Sequence, residues 1–135
     1  MALHAGIDLV AIDSVAASVA THGEAYLSRV FSARERSAYV RDGEPDIAAL
    51  AACFAAKEAT IKVLRPTRTQ ALPWSELEVL PAPQDGYAVH LGEVAAAAAA
   101  RAGINEWSVS VTSEGGFAAA VVIAGFRADL PIMRP

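Results

Sequence analysis

Two acidic residues stand in stretches where a folded chain does not place a bare charge without a partner. Glu58 lies inside an alanine-rich run, Ile47 to Leu64 (IAALAACFAAKEATIKVL), and Asp8 lies inside an apolar one, His4 to Ile12 (HAGIDLVAI). At roughly 100° per residue, Ile47, Leu50, Ala51, Phe54 and Ile61 make a narrow helical stripe with Glu58 in its middle and Lys57 and Lys62 on either side. A carboxylate on a packing face needs a cation, a hydrogen-bond donor or a wet cleft. Glu58 and Lys62, spaced i,i+4, also have the form of an ordinary surface pair. Asp8 shares its strand face with Gly6, Val10 and Ile12, and Asp is depleted in strands, so it caps a helix, pairs with an arginine or serves a site. Two carboxylates facing one cleft suit a hard cation. Mg²⁺ takes one or two protein carboxylates and leaves its other positions to water and phosphate oxygens, and flanking lysines supply point charges for phosphate. The residues therefore propose a magnesium–diphosphate site and phosphoryl-type transfer. No P-loop or dinucleotide-binding glycine pattern is present, and His4, His22 and His90 lack ligand spacing.

The elements that must position these groups follow from punctuation and periodicity. His4 to Ile12 reads as a buried strand, and Asp13 or Ser14 can cap a helix to about Thr21, with Gly23 as a break. A short helix, Glu24 to Val30, precedes Ser32-Ala33-Arg34-Glu35, whose S-x-x-E form predicts a capping box opening a helix that ends near Gly43. On that helix Arg34 and Arg41 would share a face, with Arg29 just upstream, as a solvated face or a docking strip for an acidic protein. Asp46 caps the central helix, and Pro66 stops it. Two alternating strands, Glu76 to Leu80 and Tyr87 to Leu91, are joined through PAPQDG. A helix from Glu93 to Ala102 ends at Gly103, and a hairpin follows: Trp107 to Thr112, a turn at Glu114-Gly115-Gly116, and Phe117 to Gly125. The order predicts an α+β fold, a long central helix packed on a mainly antiparallel sheet. One domain is expected over 1–126, with a tail over 127–135 that gives no clear signal.

Bulk properties exclude several classes. The chain has 135 residues, 54% hydrophobic and 19% charged, which suits one domain with a real core and argues against disorder. A net charge of −4 disfavours nucleic acid as a partner. One cysteine permits no internal disulfide and makes a thiolate metal site improbable. The start MALHAGIDLV lacks the basic region of a signal peptide, and the apolar runs are too short to cross a bilayer, so a soluble cytoplasmic protein is expected, with no membrane partner.

These residues resemble the holo-[acyl carrier protein] synthase family, the small 4′-phosphopantetheinyl transferases. The matching blocks are GIDLVAI (Gly6–Ile12), RVFSARE (Arg29–Glu35), FAAKEATIK (Phe54–Lys62), ELEV (Glu76–Val79) and WSVSVTSEGGFAAAVVIA (Trp107–Ala124). Together they span nearly the whole chain in the family's order. The resemblance implies the 4′-phosphopantetheinyl transferase-like fold, and movement of the phosphopantetheine arm of coenzyme A onto a serine of an apo carrier protein of fatty-acid or polyketide synthesis, releasing adenosine 3′,5′-bisphosphate. It implies Mg²⁺ as cofactor, held by Asp8 and Glu58. It further implies Lys57, Lys62, Arg65, Ser108 and Ser110 near the coenzyme, and catalysis by Glu58, Asp8 and Lys62. A homotrimer with coenzyme A between neighbours is implied too, which would account for the polar strand face of Ser108 and Ser110. The chain departs from the family pattern at Ala11, Ser14, Cys53, Arg65-Pro66, Ser108 and Ser113, where members commonly carry Glu, Arg, Arg, a Gly-containing stretch, His and His. The alternative these departures motivate is a non-catalytic relative that binds carriers or serves as a structural trimer.

Overall fold

In the computed structural model, residues 2–64, 71–84 and 86–131 are described. The chain opens with strand β1 (His4–Ala11), then helices α1 (Ile12–His22), α2 (Glu24–Val30) and α3 (Ala33–Ala38). A minimal hairpin, β2 (Val40–Arg41) and β3 (Glu44–Pro45), leads into the long helix α4 (Ile47–Leu64). One 3₁₀ turn (Trp74–Glu76), strands β4 (Leu77–Ala82) and β5 (Gly86–Leu91), helix α5 (Glu93–Arg101) and the hairpin β6 (Glu106–Glu114) and β7 (Phe117–Gly125) complete it. This is the expected α+β architecture. The main sheet has the order β1-β7-β6, antiparallel throughout, and β4-β5 forms a second antiparallel ladder.

α4 is the axle of the core. It touches β1, β7 and β6 on one side, and α1, β4 and α5 around the rest. Leu50, Ala51, Ala52, Cys53, Ala55, Ala56, Ala59, Thr60, Val63 and Leu64 are all buried, so the helix is covered on nearly every side. The expected stripe is therefore only part of its packing surface: Leu50 and Ala51 are buried, while Ile47, Phe54, Glu58 and Ile61 are half-open, as is Ala49. Alanine explains the difference. Its small side chain lets neighbours approach from any direction, so hydrophobic periodicity loses its meaning.

Close approach also sets β1. A Cβ on Gly6 would lie 2.1 Å from the Ala59 carbonyl oxygen, so only glycine lets the strand lie against α4 at this distance. With Gly6 and Val10 buried against the helix, the strand's period of two turns Asp8 to that side. The opposite sheet face is uncovered: Ile7 and Leu9 of β1, and Val121 and Ile123 of β7, are exposed.

Several local expectations are corrected. α1 starts two to three residues early, with Ala11 at its cap and no side-chain cap from Asp13 or Ser14. The Ser32–Glu35 capping box forms, but α3 ends at Ala38 because the chain turns into the β2–β3 hairpin, with Asp42 and Gly43 in the left-handed region. Arg41 thus leaves the face it was expected to share with Arg34. Glu76 belongs to the 3₁₀ turn, and its carboxylate accepts from Ala95 N (3.0 Å), capping α5 in place of Gly92, which has no side chain to do so. The last described residues fold back onto Asn105, whose amide donates to Arg127 O and Leu130 O (2.8 Å each).

Candidate active site

Asp8 and Glu58 come from the two elements that Gly6 presses together. Asp8 is mostly shielded, its side chain 17% exposed, and Lys62 reaches across from the last turn of α4. The Lys62 ammonium donates to Asp8 Oδ1 (3.0 Å) and to the Ile7 carbonyl (2.9 Å) on the strand's unpaired edge. The pKa of Glu58 is raised by partial burial and, secondarily, by the charge of Asp8; Lys62 pulls it back down. Two carboxylates near enough for the charge of Asp8 to act on Glu58 leave net negative charge beside the one ammonium that Asp8 binds among the described residues. Its donors are hard oxygens, and no third His, Cys, Asp or Glu joins them among the described residues. That donor set fits Mg²⁺, which leaves most positions to water and phosphate, and does not fit a site closed by protein ligands.

Lys57 does not belong to this pocket. It is fully buried, and its ammonium donates to Glu35 Oε1 and to Val30 O (2.7 Å each), with the Phe31 ring 5.8 Å away. Glu35 is equally buried and accepts three further hydrogen bonds, from Ser32 N (2.9 Å), Val79 N (2.9 Å) and Cys53 Sγ (3.2 Å). Its charge is fully spoken for. The expectation that Lys57 lies beside phosphate is therefore corrected: one residue from Glu58 turns the side chain by about 100°, out of the cleft and into the protein. The Cys53 thiol is held protonated, its pKa raised by burial and then by Glu35.

Ser108 and Ser110 are not brought to Asp8 within one chain. They pair with Ile123 and Val121 on the uncovered sheet face, whereas Asp8 pairs with buried Ala120 and looks to the helix side. Arg65 lies outside the described residues. The basic strip is also reduced: Arg34 binds Glu78 (3.2 Å) and Arg41 binds Asp46 (3.3 Å), while Arg29 makes no ion pair among the described residues. Sequence reasoning missed Glu35 as the partner of Lys57, because the capping box already accounted for it. It also missed the Ile7 carbonyl, which no side-chain pattern can signal.

Comparison with known proteins decides the family. The model of the 4′-phosphopantetheinyl transferase superfamily (ACPS) matches residues 4–122. The chain belongs to that superfamily. Among its relatives is the holo-[acyl-carrier-protein] synthase of Frankia casuarinae, 41% identical over 120 residues, covering 88% of this chain and 93% of the relative. The synthase of Dehalococcoides mccartyi (strain 195) is 38% identical over 122 residues, covering 90% and 98%. The solved Chronobacterium ammoniagenes ACPS-CoA complex superposes with a TM-score of 0.76 at 28% identity, over 94% of this chain and 99% of that one. The expected fold and the reading as a phosphopantetheinyl transferase enzyme are borne out by these matches. Among the described residues no helix is long and apolar enough to cross a membrane.

Proposed function

We propose that this chain transfers the 4′-phosphopantetheine arm of coenzyme A to a serine hydroxyl of an apo acyl carrier protein, with Asp8 and Glu58 holding Mg²⁺ on the coenzyme's diphosphate. The observation that carries the site is Asp8, ion-paired to Lys62, close enough to Glu58 for its charge to raise the Glu58 pKa, in a chain of this family. The serine oxygen forms the new bond to the phosphorus bearing the pantetheine arm. The bond from that phosphorus to the bridging diphosphate oxygen breaks, and adenosine 3′,5′-bisphosphate departs with the electron pair. When bound, the metal supplies positive charge to the diphosphate oxygens. Glu58 accepts the serine proton, directly or across one water. Its raised pKa makes it a stronger base than an ordinary carboxylate. Lys62, half-exposed at the rim, turns its ammonium to the phosphates.

The same reading makes the working unit a homotrimer. Exposed Ile7, Leu9, Val121 and Ile123 form an apolar sheet face that a neighbour would cover, and Ser108 and Ser110 on that face would then border a neighbour's coenzyme. Arg65 completes the coenzyme contacts in this proposal. Arg29 is the basic group offered to an acidic carrier.

The test is mass spectrometry of a panel of apo carriers incubated with coenzyme A, with Mg²⁺ or with chelator. The expected result is a carrier gaining the mass of the phosphopantetheine arm only when metal is present. A well-folded sample that binds carriers and leaves every mass unchanged would instead be the non-catalytic relative.

A further inference from the structure

The ion pair at the mouth of the site has a consequence for how metal and coenzyme bind. Lys62 Nζ sits 3.0 Å from Asp8 Oδ1 and 2.9 Å from the Ile7 carbonyl, so two oxygens of the strand already hold a cation. Its side chain is 52% exposed, and the Asp8 side chain only 17%, so the ammonium covers the more buried carboxylate from the solvent side. A divalent ion approaching Asp8 must displace this ammonium or accept a like charge about 3 Å from its own ligand. An ammonium on a four-carbon stem can turn away only if another acceptor is offered, and a diphosphate offers one.

We propose that Lys62 is a stand-in cation: it occupies the metal's side of Asp8 in the free protein and is handed to the diphosphate when coenzyme and metal arrive together. The inference rests on the proposed metal site at Asp8 and Glu58. Lys62 thereby opposes metal binding to the free protein and favours it once a diphosphate is present, so metal and coenzyme bind with positive coupling. By linkage the coupling is reciprocal, with coenzyme binding tighter in the presence of metal by the same factor.

The experiment is Mn²⁺ binding followed by electron paramagnetic resonance, with no coenzyme and then with saturating coenzyme A, on wild type, Lys62→Met and Lys62→Arg. A half-exposed ion pair contributes modestly, so Lys62→Met is expected to bind Mn²⁺ alone roughly three- to tenfold tighter than wild type. In the same variant coenzyme A should raise Mn²⁺ affinity by a smaller factor than in wild type. Lys62→Arg, which keeps the charge, should restore weak binding to the free protein. Unchanged or weaker Mn²⁺ binding by uncomplexed Lys62→Met, with its melting curve intact, overturns the proposal. Asp8→Asn and Glu58→Gln separate the two failures. If either abolishes Mn²⁺ binding while Lys62→Met does not tighten it, the site stands and the stand-in role is wrong. If neither weakens Mn²⁺ binding, the metal site itself is wrong and the stand-in role falls with it.

Discussion

Replacing Lys57 by Met separates a lysine that builds the fold from one that touches substrate. The Lys57–Glu35 pair is fully buried at 2.7 Å, and the ammonium also serves the Val30 carbonyl. Removing one partner of a buried ion pair costs about 3–5 kcal/mol, because the other charge stays behind in a low-dielectric interior. Glu35 retains donors from Ser32, Val79 and Cys53, which places the expected loss at the lower end, about 3 kcal/mol. A chain of 135 residues unfolds with an entropy near 0.28 kcal/mol/K, taking about 2.1 cal/mol/K per residue, so about 3–5 kcal/mol lowers Tm by about 11–18 °C. The assay is thermal unfolding by circular dichroism, with coenzyme A affinity measured at a temperature where the variant is folded. Lys57→Met should melt at least ten degrees or so lower and still bind coenzyme near normally. Glu35→Gln should be destabilised too, and the double variant less than the sum of the two, by roughly 1–3 kcal/mol of coupling. A Tm within about 2 °C of wild type together with lost coenzyme binding would refute the assignment and return Lys57 to the phosphates.

Other outcomes follow from the same geometry. Gly6→Ala puts a methyl against the Ala59 carbonyl, so it should lose about 2–4 kcal/mol in denaturant unfolding and cut transfer more than tenfold by moving Asp8 off α4. Because the folded-state pKa of Glu58 is raised, its contribution to stability is full below its unfolded-state value and is lost as pH rises through the raised one. Metal-free Glu58→Gln should therefore melt above wild type at neutral pH, with the gap closing towards about pH 4; a gap that widens on acidification contradicts the sign. Ile7→Lys, on the exposed sheet face, should sediment as monomer where wild type is a trimer, and a wild-type monomer at micromolar concentration would contradict the proposed assembly.

How much of this was legible in the sequence depends on what each residue signals locally. The bounds of α2 and α4 follow from punctuation alone: Gly23 and Ser32 around one, Asp46 and Pro66 around the other. Gly103, Gly115 and Gly116 mark a helix end and a hairpin turn, and each has the positive φ such positions use. Asp8 and Glu58 were readable as misplaced charges, since Asp resists strands and Glu resists apolar surroundings. Lys57 was not readable, because its partner Glu35 arrives from 22 residues away and already had a local explanation as the N3 residue of a capping box. Nor could the sequence show which face of α4 is packed, because a helix so rich in alanine can be buried from all sides. The uncovered sheet face has a plainer cause. Apolar residues on both faces of β1 read as a doubly buried strand, and within a single chain only the α4 side is covered.

In the proposed mechanism Asp8 and Glu58 act as one unit around a single ion. Single-turnover transfer to an apo carrier, across a Mg²⁺ titration, tests it most directly on Asp8→Asn, Glu58→Gln and the double variant. Each single variant is expected to lose at least about a hundredfold in rate, and the double variant to be hardly slower than the worse single. Either single variant keeping the wild-type rate and Mg²⁺ dependence would contradict it.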